Sequence, residues 1–423
     1  MHLPPIPSPD AEARRAAIAR YDELAVPAGA LGRLAELGCW LAAAQDTCPP
    51  RPVARPRVVL VAADHGVAAA GVSAYPSYVT ARRVVGAREH TTPVAVLALA
   101  AGVSLRVVDV AVDHSPDAPA PDSPLAPDPR YRVGAGTGRI DRTDALTEEE
   151  TERALAVGRA LVDEEVDGGA DLLVPGAIGV GATTPASVLV AAVTGAEPVA
   201  VVGRGSGIDD ETWMRKAAAI RDALRRARPH ARDPLALLRV AGGADIAVLT
   251  GFLVQAAVRR TPVLLDGLVP VTAALIADEW APGARDWWLL AQRSPEPAMA
   301  LVTTHLVLPP LLDLRIRAGD GTGALTVLPL LQMAARLVAE TAVAPTPEPA
   351  PETEPQPAPD PVTQQPVAQR PAAPEPVTPE PVTPEPVVDA PTPAAAPAGA
   401  EVPDAPAPHG SSAGPGPAGP PRA

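Results

Sequence analysis

Short apolar runs alternate with longer amphipathic stretches along the first 343 residues. The apolar runs are rich in valine and leucine and lack polar alternation, which predicts strands that are buried on both faces. They are Arg57–Ala63, Leu105–Val112, Asp171–Val174, Pro198–Val202, Pro262–Leu265 and, most weakly, Trp287–Ala291. Because helical stretches separate them, the pattern predicts an α/β fold with a doubly wound, mostly parallel sheet.

Three stretches between these runs are predicted to be helices. Thr147–Val166 begins with a threonine and carries Glu150 three residues later, which is a capping box. Glu211–Arg228 follows two aspartates and ends at a proline, and Asp245–Arg260 is apolar around most of its circumference. We expect the last of these helices to be buried.

The two ends of the folded region are also helical in pattern. Ala11–Ala44 is broken at Pro27–Gly29, and Leu325–Val343 is a second apolar helix, so we expect the two to pack as a smaller helical unit. Six prolines in Asp113–Arg132 predict a surface loop. The expected organisation is an N-terminal helical segment (1–50), an α/β nucleotide- and base-binding domain (51–324), a C-terminal helix (325–343) and a tail (344–423).

The tail differs from the rest of the chain in composition. It holds 26 of the 56 prolines and little aromatic or branched bulk, so it cannot offset its ordering entropy and is predicted to be a disordered, acidic Pro/Ala-rich tail. A repeat, P-E-P-V-T, occupies Pro374–Thr378 and Pro379–Thr383. An extended tether is favoured over a docking segment for an SH3-like partner.

Charge and cysteine content exclude several classes of protein. The net charge is −14, of which the tail carries −8, and no basic stripe is present, which argues against nucleic acid or an anionic membrane as partner. The N-terminus lacks the pattern of a signal peptide, and no run of eighteen uncharged apolar residues occurs. Two cysteines, Cys39 and Cys48, and scattered histidines predict a reduced, cytoplasmic protein without a structural metal, and we expect no cofactor.

Glycine or a small polar residue follows nearly every predicted strand, which indicates a ligand groove at the carboxyl edge of the sheet. Gly176–Thr184 (GAIGVGATT) precedes a helix in which Pro185 suits the first position, so free N–H groups and the helix dipole form a candidate phosphate cradle. Gly203–Gly207 (GRGSG) is a second such loop, and Gly319–Ala324 (GDGTGA) is a third that contains Asp320. None has the glycine spacing of a dinucleotide fingerprint.

The basic residues show one exception to a strong bias. Of the 35 lysine and arginine residues, all except Lys216 are arginine. A coding bias explains the arginines, whereas the lysine is either an accident or a position that needs a compact ammonium group. Lys216 falls in the second turn of the helix after Gly203–Gly207, within reach of a ligand at that loop.

Several longer stretches resemble one known family. In chain order they are AADHGVAAAGVSAYPSYVT (Ala62–Thr80), GAIGVGATT (Gly176–Thr184), GRGSGIDDETWMRK (Gly203–Lys216), VAGGADIAVLTG (Val240–Gly251), LLDGLV (Leu264–Val269), RSPEP (Arg293–Pro297) and PLLDLRIRAGDGTGA (Pro310–Ala324). PAGALGRLAEL (Pro27–Leu37) matches more loosely. The chain resembles the nicotinate mononucleotide:dimethylbenzimidazole phosphoribosyltransferases of cobalamin lower-ligand synthesis, over about residues 20–340.

The resemblance implies a reaction and a set of site residues. A benzimidazole nitrogen attacks the anomeric carbon of nicotinate mononucleotide, displaces nicotinate with inversion and gives α-ribazole phosphate. The implied catalytic residues are Asp320, as general base, and Lys216, and a homodimer is expected by the same resemblance. The implied nucleotide-binding residues are Gly179, Gly181, Thr183, Thr184, Gly203, Gly205 and Ser294, and the implied base-binding residues are Ser73, Tyr75 and Asp320.

The chain departs from the family pattern at several positions. Ala177 replaces an acid that would balance Lys216, Ala182 replaces an asparagine, and Asp320 is one methylene shorter than the usual glutamate. Further departures are Val26, Ala30 and Arg82. Two interpretations therefore stand, a transferase with altered base preference or rate, and a binding protein that keeps the groove without turnover. The glycine loops and Lys216 favour the transferase, and a nicotinamide-dependent oxidoreductase is excluded by the missing fingerprint.

Overall fold

A five-stranded sheet in the order β2-β1-β3-β4-β5 lies at the centre of the fold, and all of its strand pairs are parallel. Our description comes from a computed structural model and covers residues 3–115, 119–120, 123 and 126–345. The strands are β1 (Pro56–Ala63), β2 (Ser104–Ala111), β3 (Leu172–Ile178), β4 (Val263–Leu265) and β5 (Trp288–Leu290). The strand order reverses between β1 and β3, which is where open sheets of this kind bind ligands.

Thirteen α-helices surround the sheet in the described residues. They are α1 (Ala11–Glu23), α2 (Arg33–Gln45), α3 (Val79–Arg88), α4 (Pro93–Ala100), α5 (Glu148–Asp167), α6 (Thr183–Thr194), α7 (Pro198–Val201), α8 (Asp210–Ala227), α9 (Pro234–Ala241), α10 (Ala244–Val258), α11 (Leu268–Trp280), α12 (Pro297–Leu306) and α13 (Thr322–Glu340). Short 3₁₀ turns occupy Gly66–Ala70, Arg228–His230 and Ala284–Trp287.

Strand β1 shows that both faces of the sheet are covered. Val59 and Val61 pack into one apolar cluster, which includes residues of α5, α6, α10 and α11. Val58 and Leu60 pack into another, with residues of α2, α3, α4 and α13. Alternate side chains of a strand point to opposite faces, so the predicted doubly wound α/β fold is confirmed.

Helices α5 and α10 pack with their backbones in contact on one face of the sheet. A Cβ atom at Gly158 would overlap the carbonyl oxygen of Val248, and one at Gly251 would overlap that of Leu155. Every residue of α10 from Ala244 to Ala257 is buried, as its apolar pattern predicts. The close crossing therefore depends on the two glycines.

The helix boundaries agree with their capping residues. Thr147 and Glu150 form the predicted capping box at the start of α5, with hydrogen bonds in both directions. The Asp209 side chain caps α8 by accepting a hydrogen bond from the Thr212 N–H at 2.8 Å. Helix α8 ends at Ala227, two residues before a proline, because proline cannot continue the backbone ladder.

Helices α1, α2 and α13 pack against one another, although they come from opposite ends of the folded region. The Arg20 Nε donates to the Val338 carbonyl at 2.7 Å, and Leu24 forms an antiparallel bridge with Val343. Helix α13 is long and apolar enough to cross a membrane, with a mean hydropathy of 1.4, but half of it is buried against the described chain. Such burial is typical of a core helix.

The structure corrects two predictions. Pro198–Val202 is not a strand: Pro198–Val201 form the short helix α7. Pro198 is its first residue, a position where the backbone N–H has no partner within the helix, so proline loses no hydrogen bond there. The β3–α6 connection is also shorter than expected, since β3 continues to Ile178 and α6 already begins at Thr183, so that Pro185 is its third residue. The tail prediction, from residue 346 onward, lies outside the described residues, as does part of the proline-rich loop.

Candidate active site

A cleft of about 480 Å³ lies at the carboxyl edge of the sheet, near the reversal of strand order. Residues from the segments after β1 and β3, from the Gly203–Gly207 loop and from the segment before α13 line it. Eight of the eleven residues predicted for the site line this cleft: Ser73, Tyr75, Gly179, Gly181, Thr183, Gly205, Lys216 and Ser294. The structure thus brings together residues that are far apart in the sequence.

The β3–α6 loop, residues 179–182, forms one wall. A Cβ at Gly179 would lie 2.5 Å from the Ala63 carbonyl oxygen, and Gly181 has a φ of +85°, so both positions need glycine. The Val180 N–H donates to the Thr80 Oγ1 at 3.0 Å, which ties the loop to α3. In the first turn of α6 the Thr184 N–H donates to the Gly181 carbonyl at 2.9 Å and Pro185 has no N–H, so the free donor of this turn at the cleft is the N–H of Thr183.

A buried His65–Asp245 pair lies behind this loop. The Nε2 of His65 is 3.1 Å from the Asp245 Oδ2, and a Cβ at Gly179 would lie 3.2 Å from that same Nε2. Burial alone would lower the pKa of His65, but the charge and hydrogen bond of Asp245 outweigh it, so the pKa is raised. The pair supports the loop from beneath. Sequence reasoning gave this histidine no role, although it directly follows the first strand.

Lys216 connects the two glycine loops. Its side chain is almost fully buried, and its Nζ donates to the Thr183 Oγ1 at 2.8 Å and to the Gly203 carbonyl at 3.1 Å. Burial lowers the pKa of Lys216 to about 8, and the negative charge of Glu296 opposes this shift. Since an ammonium group has three N–H donors, one remains for a ligand.

Glu296 is a site residue that sequence reasoning missed. Its carboxylate lies against the Gly203–Gly207 loop, where Oε1 accepts from the Gly205 N–H at 3.1 Å and a Cβ at Gly203 would overlap Oε2. Oε2 is buried and has no hydrogen-bond partner among the described residues. Glu296 therefore supplies negative charge near Lys216, although the acid of the family pattern is absent at Ala177. The sequence could have indicated this residue, because Glu296 lies in the stretch RSPEP that matches the family.

Asp320 lies behind the cleft rather than in its lining. Its side chain is 3 % exposed, and its Oδ1 accepts from the Thr322 N–H at 3.2 Å and the Thr322 Oγ1 at 2.5 Å. No hydrogen bond reaches Oδ2 from any residue that the structure describes. The neighbouring Gly319 does line the cleft, and its carbonyl accepts from the Ala177 N–H at 3.1 Å.

A second buried network holds the segment that carries Asp320. Gln292 accepts from the Ile316 N–H at 3.1 Å and donates both to the Ile316 carbonyl at 3.0 Å and to Asp266 at 2.9 Å. Asp266 also accepts from the Gly323 N–H at 2.8 Å. Burial raises the pKa of Asp266, and the charge of Asp320 adds to that effect. The segment is thereby fixed to the ends of β4 and β5.

The predicted base-binding segment is attached to the Gly203–Gly207 loop. The Ser206 Oγ accepts from the Ala74 N–H at 3.0 Å and lies 3.3 Å from the Ser73 Oγ. Tyr75 is about half exposed at the rim of the cleft. Five valine and leucine side chains line the cleft as well: Val72, Val79, Val180, Leu268 and Val269. This combination suits a flat, apolar ring.

Two other predicted residues are outside the lining. Thr184 is fully buried, and its Oγ1 has no partner in the described part of the chain. Gly203 contributes through its backbone, since its carbonyl accepts from Lys216. These two positions shape the loops and do not form the surface of the cleft.

Fold and site together define a nucleotide-binding α/β protein, with glycine loops, a helix N-terminus and a buried ammonium group at the switch point of a parallel sheet. Residues 6–346 match the model of a phosphoribosyltransferase family, and the chain belongs to that family.

Curated relatives carry one shared name, nicotinate-nucleotide–dimethylbenzimidazole phosphoribosyltransferase. The protein of that name from Mycobacterium avium is 54 % identical over 342 residues, covering 81 % of this chain and 96 % of the relative. The one from Mycobacterium tuberculosis is 50 % identical over 338 residues, covering 80 % and 92 %. The crystal structure of CobT from Thermus thermophilus is similar with a TM-score of 0.74 and 38 % identity, covering 78 % of this chain and 97 % of that one.

Proposed function

We propose that the protein transfers the phosphoribosyl group of nicotinate mononucleotide to dimethylbenzimidazole or a related base, for assembly of the cobalamin nucleotide loop. The observation that carries the proposal is the cleft itself. Its lining combines two glycine loops and Lys216, which suit a phosphate, with Tyr75 and aliphatic side chains, which suit the base. The names of relatives at about half identity point to the same reaction.

The phosphate of the nucleotide binds at the N-terminus of α6. Backbone N–H groups at Gly181 and Thr183 and the free donor of Lys216 converge there, and the helix dipole adds favourable charge. Glu296 keeps the Gly203–Gly207 loop in place by holding the Gly205 N–H. Binding energy at this remote group positions the ribose for attack.

The base lies between Tyr75 and the aliphatic lining, with one ring nitrogen facing the anomeric carbon. That nitrogen forms the new C–N bond as the bond to the pyridinium ring breaks, and the bonding electrons return to the nicotinate nitrogen. The ring proton of the base then passes to Asp320, which lies behind the Gly319 wall of the cleft and whose Oδ2 accepts no hydrogen bond from a described residue. Gln292 and Asp266 set the position of that segment.

The test mixes the purified full chain with nicotinate mononucleotide and dimethylbenzimidazole. Chromatography with mass detection should show ribazole phosphate and nicotinate appearing in equal amounts, and omission of the base should abolish nicotinate release. Nucleotide binding without either product would contradict the transferase and support a binding protein.

We also propose a cytoplasmic homodimer without nucleic-acid or membrane partners. Both cysteines are free, which suits a reducing compartment. Val96 and Leu99, which lie one turn apart on α4, are 53 % and 71 % exposed, and we propose this apolar pair as part of the dimer interface. Analytical ultracentrifugation should give twice the mass of one chain, and Leu99→Asp should shift the protein toward monomer. A monomeric parent would overturn the assignment.

A further inference from the structure

Two arginines that line the cleft have no partner among the described residues. Arg83 and Arg317 both belong to the lining, and neither guanidinium forms a hydrogen bond or ion pair with any residue that the structure describes. The other charged lining residues, Lys216 and Glu296, are both held by the Gly203–Gly207 loop. The cleft therefore holds two positive charges that its own described residues leave unbalanced.

The β3–α6 connection shows where these charges lie. At its far end Lys216 binds Thr183. Earlier, the Val180 N–H binds Thr80, which precedes Arg83 by one turn of α3. At the end of β3, the Ala177 N–H binds the Gly319 carbonyl, two residues after Arg317. Arg83 and Arg317 thus belong to segments that contact the stretch from Ala177 to Val180, whereas the Lys216 ammonium group contacts Thr183.

Nicotinate mononucleotide also has two anionic groups, the phosphate on the ribose and the carboxylate on the pyridine ring. We propose that Arg83 and Arg317 bind this ring carboxylate while the phosphate binds at Lys216, an inference that rests on the proposed function. The two arginines are then specificity-determining residues, which select the acid nucleotide over nicotinamide mononucleotide.

The chemistry of the two rings explains the selection. A guanidinium is always charged, has no acceptor, and presents parallel N–H donors that match a carboxylate. An amide carries no charge and directs N–H donors of its own at those groups. Bound nicotinamide mononucleotide would therefore leave a guanidinium without a partner. Glu296, the one carboxylate in the described lining, lies at the opposite end of the connection and does not balance the arginines.

The experiment measures binding of both nucleotides to the full chain by calorimetry, together with the Arg83→Gln variant. Loss of one charge-assisted pair should weaken binding of nicotinate mononucleotide by about 10- to 100-fold. Binding of nicotinamide mononucleotide should change less than twofold, so the preference for the acid should collapse. Arg317→Gln should act in the same direction, and Arg83→Lys should restore part of the preference.

Arg15→Gln is the matched control, because Arg15 is an exposed arginine on α1 and does not line the cleft. Its two affinities should equal those of the parent. Equal losses for both nucleotides in Arg83→Gln would assign the arginine to the phosphate and overturn the proposal, as would no loss for either. A parent that fails to bind nicotinate mononucleotide would instead refute the proposed function.

Discussion

The ammonium group of Lys216 should make nucleotide binding depend on pH in a range where few other groups titrate. Burial lowers the pKa of Lys216 to about 8 in the free protein, and a bound phosphate should raise it again. The lysine is charged below that pKa, so affinity should be full at pH 7 and fall as the pH rises through 8. The charged fraction falls by about 30-fold between pH 7 and pH 9.5, which bounds the loss of affinity.

Calorimetric titration of nicotinate mononucleotide at half-unit steps from pH 7 to 9.5 measures this directly. The phosphate stays doubly ionised over the whole range, since its second pKa is near 6. Above pH 8 the dissociation constant should approach a tenfold rise for each pH unit. Binding should also be accompanied by proton uptake at Lys216, which titrations in buffers of different ionisation enthalpy detect. The pKa of His65, which lies behind the loop, is also raised, so the effect of Lys216 must be distinguished from that of this histidine.

Two substitutions make that separation. Lys216→Arg keeps a positive charge that does not titrate below pH 12, and Lys216→Met removes it. Both should give affinities independent of pH from 7 to 9.5, with Lys216→Met binding weakly throughout. If the slope survives in either variant, the titrating group is not this lysine and the assignment of the phosphate site is wrong. A parent without any slope would refute the reasoning equally.

Three further predictions concern the loops and the chain end. Gly181→Val should abolish nucleotide binding, measured by calorimetry, while the circular dichroism spectrum stays native. Gly195→Val is the control, because Gly195 also has a positive φ but has open space around it. This control should lower stability and keep binding. Asp320→Asn should lower kcat at least about 100-fold with unchanged nucleotide affinity, and equal turnover would remove Asp320 as the base. Ending the chain after Pro345 keeps the hydrogen bond from the Ala344 N–H to the Glu23 carbonyl, so the melting temperature should move by less than about 2 °C. A fall of several degrees would show that the tail contributes to stability.

The sequence pattern predicted strands well where length and flanking residues agreed. Five of the predicted runs are strands, because valine-rich segments followed by glycine suit a sheet that is buried on both faces. Pro198–Val202 contains a helix, although Pro262–Leu265 is likewise short, also begins with proline and contains a strand. Runs of four or five residues are too short for periodicity to separate strand from helix, so the tertiary contacts decide between them.

The site was predictable in its loops and not in its charge pairing. Glycines and Lys216 stand out in the sequence, whereas Glu296 is 80 residues away from that lysine and its role depends on how the start of α12 meets the Gly203–Gly207 loop. The burial of Asp320 likewise depends on long-range contacts of Gln292. Arg83 resembles every other arginine of the chain until the structure shows which of them lack partners.

Lys216 is the only side-chain amine in the 423 residues, and it lies inside the cleft. Its lowered pKa leaves a reactive fraction of neutral amine near pH 8. A small amine-selective reagent should therefore modify one side chain, inside the cleft, besides the N-terminal amine, and the side chain only while no nucleotide is bound. Mass spectrometry would then give the fraction of chains modified at Lys216. That fraction measures how much of the protein has no nucleotide in its cleft.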